Sequence, residues 1–386
     1  MVDDRMMRSL MERYTLRYPK RFWDDLLVTY DAWWEGTLAR PLISITNPPA
    51  TVGCEPGILS YTMFWNDYPQ GSTALDMVAA MLNRMNQTDC LGDGFPHQHP
   101  AFGAGVLAAI LGARSVSVSD TIWFMPERHA GLDELSFGLD PANPTYRLME
   151  EIYRLMGDWA EPGAFQLGMT DLGGIGDVLS AFRPGEELLM DFYDQPELVK
   201  ERIAEVHGAW HTVFDRYNSL AQRYCAGYTC WTPMLSSKSY YMLQCDLAYM
   251  LGPEMFNEFI LPELTQSCAR IDHPFYHLDG EGQLKHLDAL LAIPNLRGIQ
   301  WIPGEGNKPL HAWPEVFRKI ADSGKKIQLF FNPDEDPYLL DKIADQIGRS
   351  DIICAVSNKP FANKKAADQL CARHQTDSKF EEICQI

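Results

Sequence analysis

From residue 41 onward one phrase recurs in this chain of 386 residues: a short β-branched or aromatic run, a glycine or proline break, then a long amphipathic stretch. The short runs are PLISIT (41–46), CLGDGF (90–95), FQLGMTDL (165–172), YTCWTPM (228–234), FYHLDG (275–280), GIQWIPG (298–304), KIQLFF (326–331) and IICAVS (352–357). The stretches between them, such as GPEMFNEFILPELTQSCARI and AWPEVFRKIADSG, often carry Pro or Asp in the first turn, as helix starts do. Strands alternating with helices imply parallel βαβ units. Eight of them favour one α/β domain, a (β/α)8 TIM barrel, over an open doubly wound sheet. Residues 1–40 read as an N-terminal helical extension, 41–358 as the barrel and 359–386 as a C-terminal helix. A ninth run, SVSVSDTIWFMPE (115–127), leads into a loop-rich stretch. Residues 115–145 are therefore expected as a hairpin and loop insertion over the barrel mouth.

Composition narrows the partners. With 52 acidic against 33 basic residues the net charge is −19, so no basic surplus exists to neutralise nucleic-acid phosphates or an anionic membrane. The visible basic cluster, Lys364 and Lys365 with nearby Lys359, looks like a solvated helix start. Nine cysteines without regular spacing suggest free thiols in a reducing compartment. The opening MVDDRMMRSLMERY lacks an apolar signal core, and the longest small-apolar run, 101–113, is too short to span a bilayer. A soluble, cytoplasmic protein is expected.

In such a barrel the functional groups come from the C-terminal ends of the strands. The first run leads into TNPPATVGCEPG, and the second brings Asp93, His97 and His99. The third ends on Thr170 and Asp171, and the fourth contains Trp231. The fifth ends on His277 and Asp279, which alternation places on one face. The sixth brings Gln300, Trp301 and Glu305, the seventh Asn332, the eighth Cys354 and Ser357. Histidines, carboxylates, a thiol and large aromatics dominate, with almost no arginine. Bland readings stand beside this. HLD could be an internal hydrogen-bonded pair, one histidine of GFPHQHP a surface residue, Cys354 a small core residue and Trp301 plain packing. Nucleotide-phosphate loops, HExxH and the GxSxG elbow are absent.

HLDG followed by GIQWIPG, with QCDLAYMLGPEMFNEFILPELTQSC before them and FFNPDEDPYLL after, resembles the uroporphyrinogen decarboxylase superfamily from about residue 23 onward. That superfamily includes zinc-dependent methyltransferases acting with corrinoid proteins, and the likeness is nearest to its uncharacterised decarboxylase-like branch. The arginine-rich motif of true decarboxylases is missing from TNPPATVGCEPG, so turnover of a tetracarboxylate is not expected. In the methyltransferases a His-x-Cys pair and a late cysteine hold zinc. His277 matches the histidine, Asp279 stands where the first cysteine would be, and Cys354 lies near the last. The resemblance thus implies zinc on His277, Asp279 and Cys354, with Glu281 or Glu305 as a further oxygen ligand. Without metal, His277 and Asp279 become an acid–base pair.

The expected activity is methyl transfer between a small substrate and a thiol or a corrinoid carried on a partner protein, with His277, Asp279 and Asp171 catalytic. Trp231, Tyr240, Tyr241 and Trp301 are expected to wall a pocket for an apolar or methylated group. Gln244, Asp246, Gln300, His97 and Asn332 are the candidate polar contacts. A cofactor-free decarboxylase of a small acid and a non-catalytic binding protein stay open as alternatives.

Overall fold

The computed structural model describes residues 2–53, 55–118 and 121–374. Its strands are β1 (Leu42–Asn47), β2 (Asp89–Gly92), β3 (Arg114–Val118), β4 (Thr121–Met125), β5 (Tyr240–Gln244), β6 (His273–Asp279), β7 (Gly298–Ile302), β8 (Lys326–Phe330) and β9 (Ile353–Ser357). Seven of them form one sheet in the order β2-β1-β9-β8-β7-β6-β5, all parallel except the β1–β2 pair. This is a mixed α/β architecture with a mostly parallel sheet. β3 and β4 pair only with each other, as an antiparallel hairpin outside that sheet, within the segment expected as an insertion.

Six of the eight expected runs are sheet strands, and β2 departs from expectation by running antiparallel to β1. The runs at 165–172 and 228–234 are not ladder strands. They lie alongside each other through isolated parallel bridges, Phe165–Cys225 and Met169–Cys230. Two residues explain the interruption. A side chain at Gly168 would meet the Cys230 carbonyl at 2.9 Å and His97 Nε2 at 3.0 Å, so backbone and histidine press against it. Pro233 has no N–H to give a ladder. Conversely, β5 falls outside the eight expected runs: YYMLQ is buried at all five positions, and period-2 alternation does not mark such a strand.

The two ends of the sheet differ. Helices α1 (Asp4–Arg17) and α2 (Lys20–Trp34) open the chain, and α2 closes off the N-terminal strand ends with aromatic rings. Trp34 stacks on His273 at 4.2 Å, abuts Tyr240 and Phe275, and donates its indole N–H to the Leu235 carbonyl. The Lys326 ammonium lies over the Trp33 ring and donates to the Trp33 carbonyl. Each such buried ring contributes roughly 1.5–3 kcal/mol of apolar transfer. Asp93 belongs to this framework, its carboxylate clamped by both Arg40 guanidinium nitrogens at 2.7 and 2.9 Å and by the Ile43 N–H. With that end filled, the C-terminal strand ends remain for chemistry. The expected C-terminal helix is shorter at its start, running from Lys364 to Arg373 with 359–363 outside any helix, and its expected part from 375 onward lies outside the described residues. Among the described residues no helix is long and apolar enough to cross a membrane.

Candidate functional site

β6 delivers the first two groups. His277 and Asp279 share a face while Leu278 between them is fully buried on the other. Gly280, at φ 81°, then turns the chain sharply with its N–H on the Ile302 carbonyl, a conformation open to glycine. The neighbouring strand β5 leads into a short helical turn, Asp246–Tyr249, whose first residue brings a third group. One nitrogen of His277 and one oxygen each of Asp246 and Asp279 lie within 4.8 Å of one another. His277 Nε2 and Asp279 Oδ2 are 3.9 Å apart, too far for a hydrogen bond. HLD is therefore not a self-satisfied pair.

Sheet register explains how His277 is aimed. His277, Gln300, Gln328 and Cys354 are successive partners across β6, β7, β8 and β9, so their side chains leave the sheet on the same face. Gln300 Oε1 accepts a hydrogen bond from His277 Nδ1, and Gln300 Nε2 donates to Gln328 Oε1 at 2.5 Å. An amide oxygen only accepts, so the His277 proton sits on Nδ1 and the Nε2 lone pair faces the carboxylates. Burial holds the ring's pKa below the usual histidine range, opposed chiefly by Asp279. Gln328 Nε2 is buried without a partner, and such an unmade bond costs about 1–3 kcal/mol. The row spends stability to orient one imidazole.

The same row removes Cys354. It is three strands from His277, roughly 14 Å along the sheet at about 4.8 Å per strand, and belongs to no ligand group among the described residues. It is fully buried near Asp93 and Lys326. Of the expected set His277, Asp279 and Cys354, the first two stand together, and the third group beside them is Asp246 in place of Cys354. Glu281 and Glu305 are outside it as well.

More carboxylates crowd this side. Asp246 reaches solvent, yet the surrounding protein and then Asp279 push its pKa up. Asp177 is raised by burial and then by Asp246, while it accepts the Asp246 and Leu247 N–H groups at 2.9 and 2.7 Å and so fixes that turn. Asp171 is pushed up to about 7, mainly by burial, and accepts from the Gly173 N–H and Gln244 Nε2 at 2.9 and 3.0 Å. Like charges held this close favour a cation. Tetrahedral ligands with bonds near 2.1 Å stand about 3.4 Å apart, so modest side-chain rotation would bring this oxygen, oxygen and nitrogen set to a divalent ion.

Trp231 joins this group to a cavity of about 620 Å³. Its ring meets His277 edge-on at 5.3 Å, and its N–H reaches the Met242 carbonyl at 3.3 Å. The cavity wall also contains Asp171, His97, His99, Tyr61, Arg84 and Lys359. His97 donates from Nε2 to the Cys230 carbonyl at 2.6 Å. Burial drives His97 down to about 4 and His99 to about 3, so both are neutral near pH 7.

Of the expected pocket residues, His97, Trp231 and Asp171 line the cavity, and Gln244 holds Asp171. Four are elsewhere. Tyr240 is buried with its hydroxyl on Thr232 Oγ1 and its ring near Trp34, at the plugged end. Tyr241 packs against Trp210 and Phe214 and receives the Leu172 N–H on its hydroxyl. Trp301 alternates away from Gln300 into fully buried packing against Trp313. Asn332 folds onto its own loop, accepting from the Asp334 N–H. Gln300 is fully buried and serves His277 directly. Strand-end reading missed Arg84, Tyr61, Asp177 and Gln328, and assigned Lys359 to a solvated helix start although it lines the cavity. KIQLF offered one signal: an inward glutamine in register with another. No family model matches this chain, and no curated protein matches it.

Proposed function

We propose that this chain is a cytoplasmic enzyme that moves a methyl group between a small substrate and a thiol or corrinoid acceptor, using a divalent ion held by Asp246, His277 and Asp279. The observation carrying this is the His277 tautomer: Gln300 fixes the proton on Nδ1 and leaves Nε2 beside two carboxylates. When bound, the ion supplies a Lewis acid that activates a thiol or hydroxyl near neutral pH. Trp231 offers an apolar face to the transferred group and shields it from water. Asp171, with its raised pKa, holds a proton at the cavity wall for the departing group. The order of parts around HLDG and GIQWIPG supports the same class. We also read the sheet as part of a closed (β/α)8 barrel. The segment 165–172, tied to Gln98 and to 225–230, fills the gap between β2 and β5. The segment 228–231, bridged at Tyr228 to Ser236 in the turn that leads into β5, shares one place in that ring with β5.

One observation favours a second reading. A buried carboxyl titrating near 7 in a substrate-sized cavity is the group a cofactor-free decarboxylase needs to protonate a carbanion. The assay separates the two. Purified protein loaded with zinc is incubated with methylated amines, ethers and thiols plus a reduced corrinoid protein, and separately with small acids while CO2 is measured. Methyl transfer that needs metal and is lost in His277→Ala supports the first reading. CO2 release that persists with a chelator and is lost in Asp171→Asn replaces it with the second.

A further inference from the structure

Arg84 stands out in a chain with 19 more acids than bases. It sits in the last turn of the helix Ala74–Asn86, half-buried, in the cavity wall. Other partly buried arginines are matched: Arg40 with Asp93, Arg183 with Asp191 and Glu187, Arg202 with Glu205. Among the described residues no carboxylate lies within ion-pair distance of Arg84. Its guanidinium instead rests over the Tyr61 ring, 4.5 Å from the centroid, and Tyr61 is held by its hydroxyl donating to Gln98 Oε1 at 2.9 Å. A guanidinium held over a ring by cation–π attraction still has N–H groups to offer a planar acceptor. Its charge acts on His97 and His99, both of the same cavity, and Lys359 adds a second cation in the wall. The carboxylate in that wall, Asp171, is the buried one beside Trp231.

We infer that Arg84 anchors a carboxylate of the substrate: the cavity takes a small organic acid whose apolar body lies along Met63, Phe64 and Trp231 and whose reacting end points toward His277. A carboxylate matches the guanidinium fork with two parallel hydrogen bonds, and its partner arginine is already held in place. The two charges of the site are thereby sorted along one axis, anion-seeking at Arg84 and cation-seeking at Asp246, His277 and Asp279. This deepens the proposed function and rests on it for the direction of the reacting end. The carboxylate anchor itself does not depend on the metal.

The test uses the full chain and isothermal titration with benzoate, 3-phenylpropionate and 4-phenylbutyrate, each against its uncharged amide. At least one acid should bind about tenfold or more tightly than its amide. Arg84→Gln should erase that preference while amide binding stays, and Arg84→Lys should restore part of it. The acid–amide comparison in the unaltered protein needs no variant to fold. Acid binding should be the same with and without a chelator, so loss of the methyl-transfer reading would leave the anchor standing. Equal binding of acids and amides, no binding of any acid in the millimolar range, or an unaltered preference in Arg84→Gln overturns the proposal. Displacement of the acid by equimolar inorganic phosphate would overturn the choice of carboxylate.

Discussion

The two sides of Trp231 are built from different materials. On one side Asp246, His277 and Asp279 stand at the ends of neighbouring parallel strands, and hydrogen bonds through Gln300 and Gln328 aim the imidazole. On the other, Arg84 comes from a helix, Tyr61 and His99 from loops, and Lys359 from the segment after β9. Strand ends give position to within the stiffness of the sheet, which a metal needs. Helix and loop residues give reach, which suits holding a substrate's far end. If this division is right, the two sides respond independently to substitution.

The largest expected effect is on the strand-end side. His277→Ala should weaken zinc binding by at least about 100-fold in a competitive chelator titration, since even indirect supports of a ligand are worth 10–100-fold. Asp246→Asn should act in the same direction, Cys354→Ser should have no effect, and Arg84→Gln should change zinc affinity less than about threefold. A Cys354→Ser variant that loses zinc would restore the thiol ligand set and break the comparison. Next in size comes Gln300→Leu, which keeps volume but removes the acceptor from His277 Nδ1. Zinc affinity should fall roughly 10–100-fold with the fold intact by circular dichroism. Unchanged affinity there would mean that Gln300 fills space and does not orient the ring.

The strand-end side was largely legible in the sequence, because period-2 alternation in FYHLDG fixes that His277 and Asp279 share a face. The third group beside His277 and Asp279 was misplaced for a reason of distance. Cys354 is on the same face as His277, and alternation is silent about how many strands intervene. Asp246 follows YYMLQ, a strand with no polar alternation to reveal it, so it entered only as a polar contact. Gln300 and Trp301 show the same rule working unused: adjacent residues point oppositely, and one of the two had to be packing. The Arg84 side was illegible. A helical arginine among many polar neighbours carries no signal until Tyr61 and the cavity are placed beside it. Of the fold, the alternation gave the parallel strands β6 to β9, while β2's reversed direction and the interrupted 165–172 depend on close contacts that no propensity records.

A third prediction concerns pH, where buried groups of the same cavity act oppositely. Asp171 titrates near 7 when folded and near 3.9 when unfolded, so the folded chain holds the extra proton and stability falls as pH rises through about 4 to 7. His97 and His99, driven down to about 4 and about 3, hold fewer protons folded than unfolded, so their contribution is lost as pH falls from about 6.5. The slopes partly cancel between about 4 and 6.5. Asp171→Asn keeps Oδ1, which accepts from both the Gly173 N–H and Gln244 Nε2, and replaces the other carboxylate oxygen by an uncharged amide nitrogen. It should stabilise the protein at pH 8 by on the order of 1–3 kcal/mol in urea unfolding and do little at pH 4. Equal gains at both pH values would assign the effect to packing.

The smallest effect separates the two cations of the cavity. Lys359 is exposed, and exposed charge interactions are worth about 0.2–1 kcal/mol, so Lys359→Ala should weaken binding of an organic acid only about two- to fivefold at low salt. Screening reaches an exposed ammonium far more easily than a half-buried guanidinium held over a ring. In about 0.5 M NaCl the Lys359→Ala protein should therefore bind like the unaltered one, while the deficit of Arg84→Gln persists. Titration of both variants at two salt concentrations measures this directly. A Lys359→Ala deficit as large as that of Arg84→Gln, and equally resistant to salt, would move the anchor from the inner wall to the exposed lysine. The helix-borne side of the site would then only steer its ligand.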